Sequence, residues 1–139
     1  MKYFAYGTNM DDSRLVYRCP SAKRISSGSL VKYRFMFNSR GVATIVKDHD
    51  NVVYGLLFEI DKSDIINLDR HEGFPVLYKK KEVAVSLDHK EPVKAMVYIA
   101  VEKTPGKPRS EHWKIIYNCL KTSGFPEEYV RNIQNTYGH

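Results

Sequence analysis

Two short segments contain the residue types needed for acid–base chemistry on a carbonyl compound. Tyr3-Phe4-Ala5-Tyr6-Gly7-Thr8-Asn9-Met10 reads as an apolar strand running into a glycine turn, and Leu68-Asp69-Arg70-His71-Glu72-Gly73 as the last turn of a helix stopped by glycine. A loop that leaves a strand and precedes a helix presents N–H donors in a concave arrangement, suited to a carboxylate or a developing oxyanion. Thr8 and Asn9 add side-chain donors. Glu72 is the candidate general base. It stands at the negative end of its helix beside Gly73 and Phe74, and both the dipole and desolvation favour its protonated form, which tunes a carboxylate toward neutral pH. The same residues also fit a plainer description, in which Glu72 is a solvated helix-end glutamate and Gly7 and Asn9 are turn formers. Asp69, one turn earlier, is expected to bond a nearby donor or water. His71 has no serine or cysteine partner that would make a triad.

The elements that would position these segments follow from periodicity and punctuation. Lys2 to Tyr6 reads as a buried strand, and Asp11, Asp12 or Ser13 can cap a short helix through Arg18 that Pro20 closes. Leu30 to Phe37 alternates, with Tyr33, Phe35 and Phe37 inward and Lys32, Arg34 and Met36 outward. Val42 to Val46 and Val52 to Ile60 read as two strands of a hairpin turned at Asp48-His49-Asp50-Asn51. A helix capped by Asp61 or Ser63 would turn Ile65, Ile66 and Leu68 inward and stop at Gly73. Tyr78 to Leu87 and Val93 to Val101 form a further strand pair, followed by a Pro/Gly loop. A helix from Ser110 to Gly124 and another starting at Pro126 complete the chain. The expected class is α+β: a small, strongly curved mixed sheet or barrel with inserted and C-terminal helices, forming one domain over residues 1–139.

Composition narrows the function classes. At 139 residues with 42% hydrophobic and 27% charged residues, the chain reads as an ordinary globular protein, able to fold without metal or disulfide staples. Cys19 and Cys119 belong to no CxxC or Cys/His cluster, so no metal site is expected. No signal-like or membrane-spanning run is visible, and the expected setting is cytoplasmic. A formal charge of +6 allows anionic partners, but the densest basic run, Lys79-Lys80-Lys81, reads as a solvated strand face. His49, His89 and His139 read as turn or tail residues. His112, in the first turn of its helix, either lines a pocket or lies on the surface.

Read in order, YFAYGTNM, GVATI at 41–45, VVYGLLFEI at 52–60, LDRHEGF at 68–74, LYKKKEV around Tyr78 and GFPEEY at 124–129 span nearly the whole chain. This ordered set resembles the γ-glutamylcyclotransferase-like family, which includes AIG2-like and γ-glutamylamine cyclotransferase members. The resemblance implies that Tyr6, Gly7, Thr8, Asn9 and Met10 contact the γ-glutamyl part of a small-molecule substrate. It also implies that Glu72 is catalytic, that Tyr33 and Tyr78 line the pocket, and that His112 lies on the leaving-group side. Thr8 stands where many relatives carry serine, and His112 where some carry tyrosine. The implied reaction forms 5-oxoproline, with no cofactor, in a monomer or homodimer. Two other classes stay open: a catalytically silent binder of γ-glutamyl metabolites, and a basic module that uses Lys79–Lys81 for nucleic acid. No recognisable nucleic-acid motif accompanies the latter, so no specific nucleic-acid partner is expected.

Overall fold

The computed structural model describes residues 1–138; His139 lies outside them. Five strands close into a barrel in the order β1 (Lys2–Ala5), β3 (Ala43–Glu59), β2 (Lys23–Phe37), β4 (Tyr78–Leu87), β5 (Lys90–Ala100). All neighbours are antiparallel except β1 and β5, which meet in parallel at Tyr3 and Met96. The sheet is therefore mixed and the class α+β, as expected. Four helices surround it: α1 (Asp12–Arg18), α2 (Lys62–Glu72), α3 (Ser110–Thr122) and α4 (Glu127–Tyr137).

β1 pairs along both edges, with β3 and β5, and is buried on both faces, every residue from Tyr3 to Ala5 being at most 4% exposed. The chain then tightens into a 3₁₀ turn, Thr8–Met10. Asp11 caps α1 by accepting from the backbone N–H groups of Ser13 and Arg14.

The hairpin expected at Asp48–Asn51 is not formed; residues 43–59 make one continuous strand. Val31 pairs with Val52 and Tyr33 with Lys47, so the four residues Asp48–Asn51 stand opposite Lys32 alone as a bulge. The local chemistry is that of a turn, with Asp48 accepting from the Asp50 amide and from Asn51 Nδ2. The β2 partner continues on both sides, however, and carries the strand through. The true reversal lies at Asn38–Val42, where the Asn38 amide donates to Val42 O and the Gly41 amide to Asn38 O. β2 also begins earlier than its alternation suggests, at Lys23.

Two further expectations change with packing. Met36 is buried rather than solvated, next to Phe37 at the end of the ribbon. There Phe37 meets Trp113 and Tyr137 edge-to-face at 6.2 and 4.9 Å. Ile66 is 59% exposed, since α2 turns only Ile65 and Leu68 to the core. Within the basic run, the Lys80 ammonium bonds Asp69 and lies 4.3 Å from the centroid of the Phe74 ring, and Lys81 donates to the Tyr33 hydroxyl.

Candidate active site

One mouth of the barrel gathers the C-terminal ends of β1 and β5 and the starts of β3 and β4. The C-terminus of α2 and the Gly7–Met10 loop also reach it. They enclose a cavity of about 210 Å³ lined by Tyr3, Tyr6, Gly7, Thr8, Asn9, Glu72, Tyr78, Tyr98 and His112 among others.

Glu72 owes its position to the way α2 ends. Gly73 is left-handed, with φ 70°, and its amide donates to Arg70 O while the Phe74 amide donates to Asp69 O at 2.9 Å. This is a Schellman motif, which closes the helix and turns the chain away immediately after Glu72. Asn9, 3% exposed, reaches across from the 3₁₀ turn and donates to Glu72 Oε1 at 2.7 Å and to the Tyr3 hydroxyl at 3.0 Å. Its amide oxygen accepts from Arg18 Nη1 at 3.0 Å. Arg18, Asn9 and Glu72 thus form a relay that fixes one carboxylate oxygen and leaves Oε2 without a protein partner among the described residues.

The electrostatics of Glu72 follow from this enclosure. Burial pushes its carboxyl above the usual carboxylate range, opposed by the Arg18 guanidinium and the Asn9 hydrogen bond. Phe74 does not supply that burial, being 37% exposed. Tyrosines wall the cavity instead, and desolvation raises the hydroxyls of Tyr3, Tyr6, Tyr78 and Tyr98 so that all four stay protonated. Tyr6 donates to Tyr98 O at 2.5 Å and Tyr78 to Ala43 O at 2.8 Å, which holds both rings across strands. Asp69 takes no part in the relay. Its carboxylate accepts from the Tyr98 hydroxyl at 2.6 Å and from Lys80 Nζ at 2.9 Å. His112 is depressed by desolvation and by nearby Arg14 and Arg109, and so is neutral at neutral pH. The amides of Gly7, Thr8 and Asn9 donate to no group among the described residues.

Of the residues singled out from the sequence, Tyr6, Gly7, Thr8, Asn9, Glu72, Tyr78 and His112 meet in this cavity. Met10 and Tyr33 do not. Met10 is fully buried behind the loop as core. Tyr33 lies in a separate depression, where its hydroxyl accepts from Lys81. Both misplacements have one cause: a short turn and a strand each present two sides, and only packing decides which side meets the cavity. Sequence reasoning missed Tyr3, Tyr98, Arg14, Arg18, Arg40 and Arg109. Arg14 and Arg18 carried a readable signal, since an i, i+4 pair on the helix that follows the loop shares one face. Tyr98 shares one face of β5 with Met96 and Ala100 and could have been found by the same phase argument.

The sequence matches the family described as gamma-glutamyl cyclotransferase, AIG2-like, over residues 3–115. This chain belongs to that family. Proteins named gamma-glutamylcyclotransferase from Bos taurus and Homo sapiens are 28% and 29% identical to it, over 96% and 95% of this chain and 77% and 76% of theirs. A solved gamma-glutamyl cyclotransferase structure superposes with a TM-score of 0.88 at 28% identity, covering 96% of this chain and 86% of its own. Among the described residues there is no helix long and apolar enough to cross a membrane, and no cluster of three metal-ligating side chains.

Proposed function

We propose that this protein is a γ-glutamyl cyclotransferase in which Glu72 moves the proton. The substrate is a small γ-glutamyl compound, and the protein works as a monomer or homodimer in the cytoplasm. The observation that carries the assignment is a half-held carboxylate. One oxygen of Glu72 is fixed by Asn9, the other is open to a cavity, and three unpaired loop amides border the same space.

The reaction is intramolecular. The substrate's α-ammonium gives a proton to Glu72 Oε2, and the free amine attacks the γ-carbonyl carbon. The resulting C–N bond closes the five-membered ring, and the tetrahedral oxyanion collapses as the original γ C–N bond breaks. Glu72 returns that proton to the departing nitrogen, and the second proton that the ring nitrogen must shed passes by the same carboxylate, so the amine leaves as its ammonium ion and 5-oxoproline is released with a single lactam N–H. Charge and atoms balance with no cofactor or covalent enzyme intermediate. A carboxyl raised by burial suits both halves, being basic enough to accept the proton and acidic enough to return it. The Gly7, Thr8 and Asn9 amides hold the substrate carboxylate or the oxyanion. Tyr6 and Tyr78, tied to backbone carbonyls, fold the chain so that amine and carbonyl meet. Such proximity is worth at most about 7–11 kcal/mol in model systems.

Glu72→Gln tests the assignment. It is nearly isosteric and can still bond Asn9, but it cannot shuttle a proton, so 5-oxoproline release should fall by about 10²–10⁴ while 5-oxoproline still binds the cavity. Asp69→Asn serves as the control and should fall far less. Parent-like turnover by Glu72→Gln refutes the role of Glu72. Amide shifts on 5-oxoproline addition that spare Gly7, Thr8 and Asn9 refute the site.

A further inference from the structure

The cavity is far more cationic than a γ-glutamyl group requires. Arg14 and Arg18 come from one face of α1, Arg40 from the β2–β3 turn and Arg109 from the residue before α3, while Glu72 is the only carboxylate among the lining residues. Arg18 is occupied by Asn9. Arg14, Arg40 and Arg109 form no ion pair among the described residues. Arg14 Nε and Arg40 Nη1 are buried without any hydrogen-bond partner. A guanidinium nitrogen withdrawn from water and left unpaired is unfavourable, and the unmet demand is for an acceptor that the protein does not supply.

The framework that forms the β2–β3 reversal also sets Arg40 and Arg109 together. Asn38, fully buried, donates to Glu102 O and accepts from the Arg40 and Val42 amides. The Arg109 amide donates to Gly41 O at 3.0 Å. Gly41 has φ 78°, and a Cβ there would stand 2.7 Å from Arg109 Cγ, so the turn must be glycine for the arginine stem to lie against it. Arg40 is also close enough to Tyr78 to oppose the rise of its hydroxyl, and Arg109 is close enough to His112 to help keep it neutral. The pair therefore flanks the cavity on the side of β4 and α3.

Resting on the cyclotransferase reading, we infer that Arg40 and Arg109 form a subsite for a second carboxylate on the leaving amine, so that the preferred substrates are γ-glutamyl derivatives of acidic amino acids. The count of charges supports this. With the substrate's own α-carboxylate on the loop amides and the leaving amino acid's α-carboxylate beside the unpartnered Arg14, Arg40 and Arg109 remain for a side-chain carboxylate. Planar guanidinium forks bind carboxylates bidentately, and two of them reject a cationic leaving group such as a lysine side chain.

γ-Glutamylglutamate and γ-glutamylglutamine differ only in that side-chain charge. Calorimetry on Glu72→Gln protein, which holds ligand without cyclising it, should give about tenfold tighter binding of γ-glutamylglutamate, with the preference shrinking as salt rises. In the Arg40→Gln/Arg109→Gln background the ratio should drop to within about twofold. Arg109→Gln alone, at an exposed position, should lower it partway even if the double variant does not fold. Lys79→Gln, in the separate basic depression, should leave it intact. Equal affinities for the two ligands, no measurable binding of either, or a ratio that survives loss of the arginines overturns the subsite. Turnover separates the two ideas: absence of 5-oxoproline from a panel of γ-glutamyl amino acids and γ-glutamylamines with Glu72 present defeats the cyclotransferase reading, while the affinity ratio decides the subsite independently.

Discussion

Asn9→Asp is the sharpest probe of the relay, because it changes charge where the volume stays the same. The amide nitrogen that now donates to Glu72 Oε1 at 2.7 Å becomes a second carboxylate oxygen. Two full charges at that distance repel by about 6 kcal/mol at an effective dielectric of 20. Arg18, 3.0 Å from the other Asn9 atom, pairs with the new charge and keeps the fold, and side-chain relaxation removes much of the remainder. If only a quarter of the repulsion survives, about 1.5 kcal/mol, the pair holds a proton about one pH unit higher than Glu72 alone. Glu72 accepts the substrate proton only when ionised. The acid limb of kcat/KM should therefore move up by about one unit, with about a tenfold loss of rate at a pH below it. The measurement is 5-oxoproline release across pH in parent and variant, with circular dichroism to confirm the fold. An acid limb at the parent position, with parent-like rates, refutes the relay.

Two further outcomes follow from the same geometry. Because burial raises the Glu72 carboxyl above its unfolded value, its contribution to stability is complete in acid and lost as pH rises through the folded pKa. Glu72→Gln should consequently melt higher than the parent at pH 7.5, with the gap closing near pH 4, and a parent that is equally or more stable at pH 7.5 contradicts the burial argument. Gly73→Ala forces a left-handed backbone onto an alanine and sets its Cβ 2.8 Å from Leu77 Cδ1. It should cost about 1–2 kcal/mol in denaturant unfolding from the backbone alone and reduce turnover by misplacing Glu72, whereas unchanged stability argues against the helix-stop account.

The parts of the site that lie within one element, or at its end, were legible from the sequence. Gly73 had to stop a helix, and a helix stopped there puts Glu72 on its last turn. YFAYG had to be a buried strand opening into a polar turn. Those are local facts, fixed by backbone conformations that only certain residues adopt, and the ordered motifs carried the family with them. What the sequence left open was every choice between two faces or two partners. Asp48-His49-Asp50-Asn51 has the chemistry of a turn, yet it became a bulge because β2 pairs with the chain on both sides of it. Met10 and Tyr33 resembled site residues but do not line the cavity, since the loop and strand turn those side chains elsewhere. The relay from Arg18 through Asn9 to Glu72 joins positions 9 and 72, and the arginine pair joins a turn at 40 to a loop at 109. No local propensity encodes such a meeting; closure of the barrel brings these ends to one mouth, and burial there raises the Glu72 carboxyl.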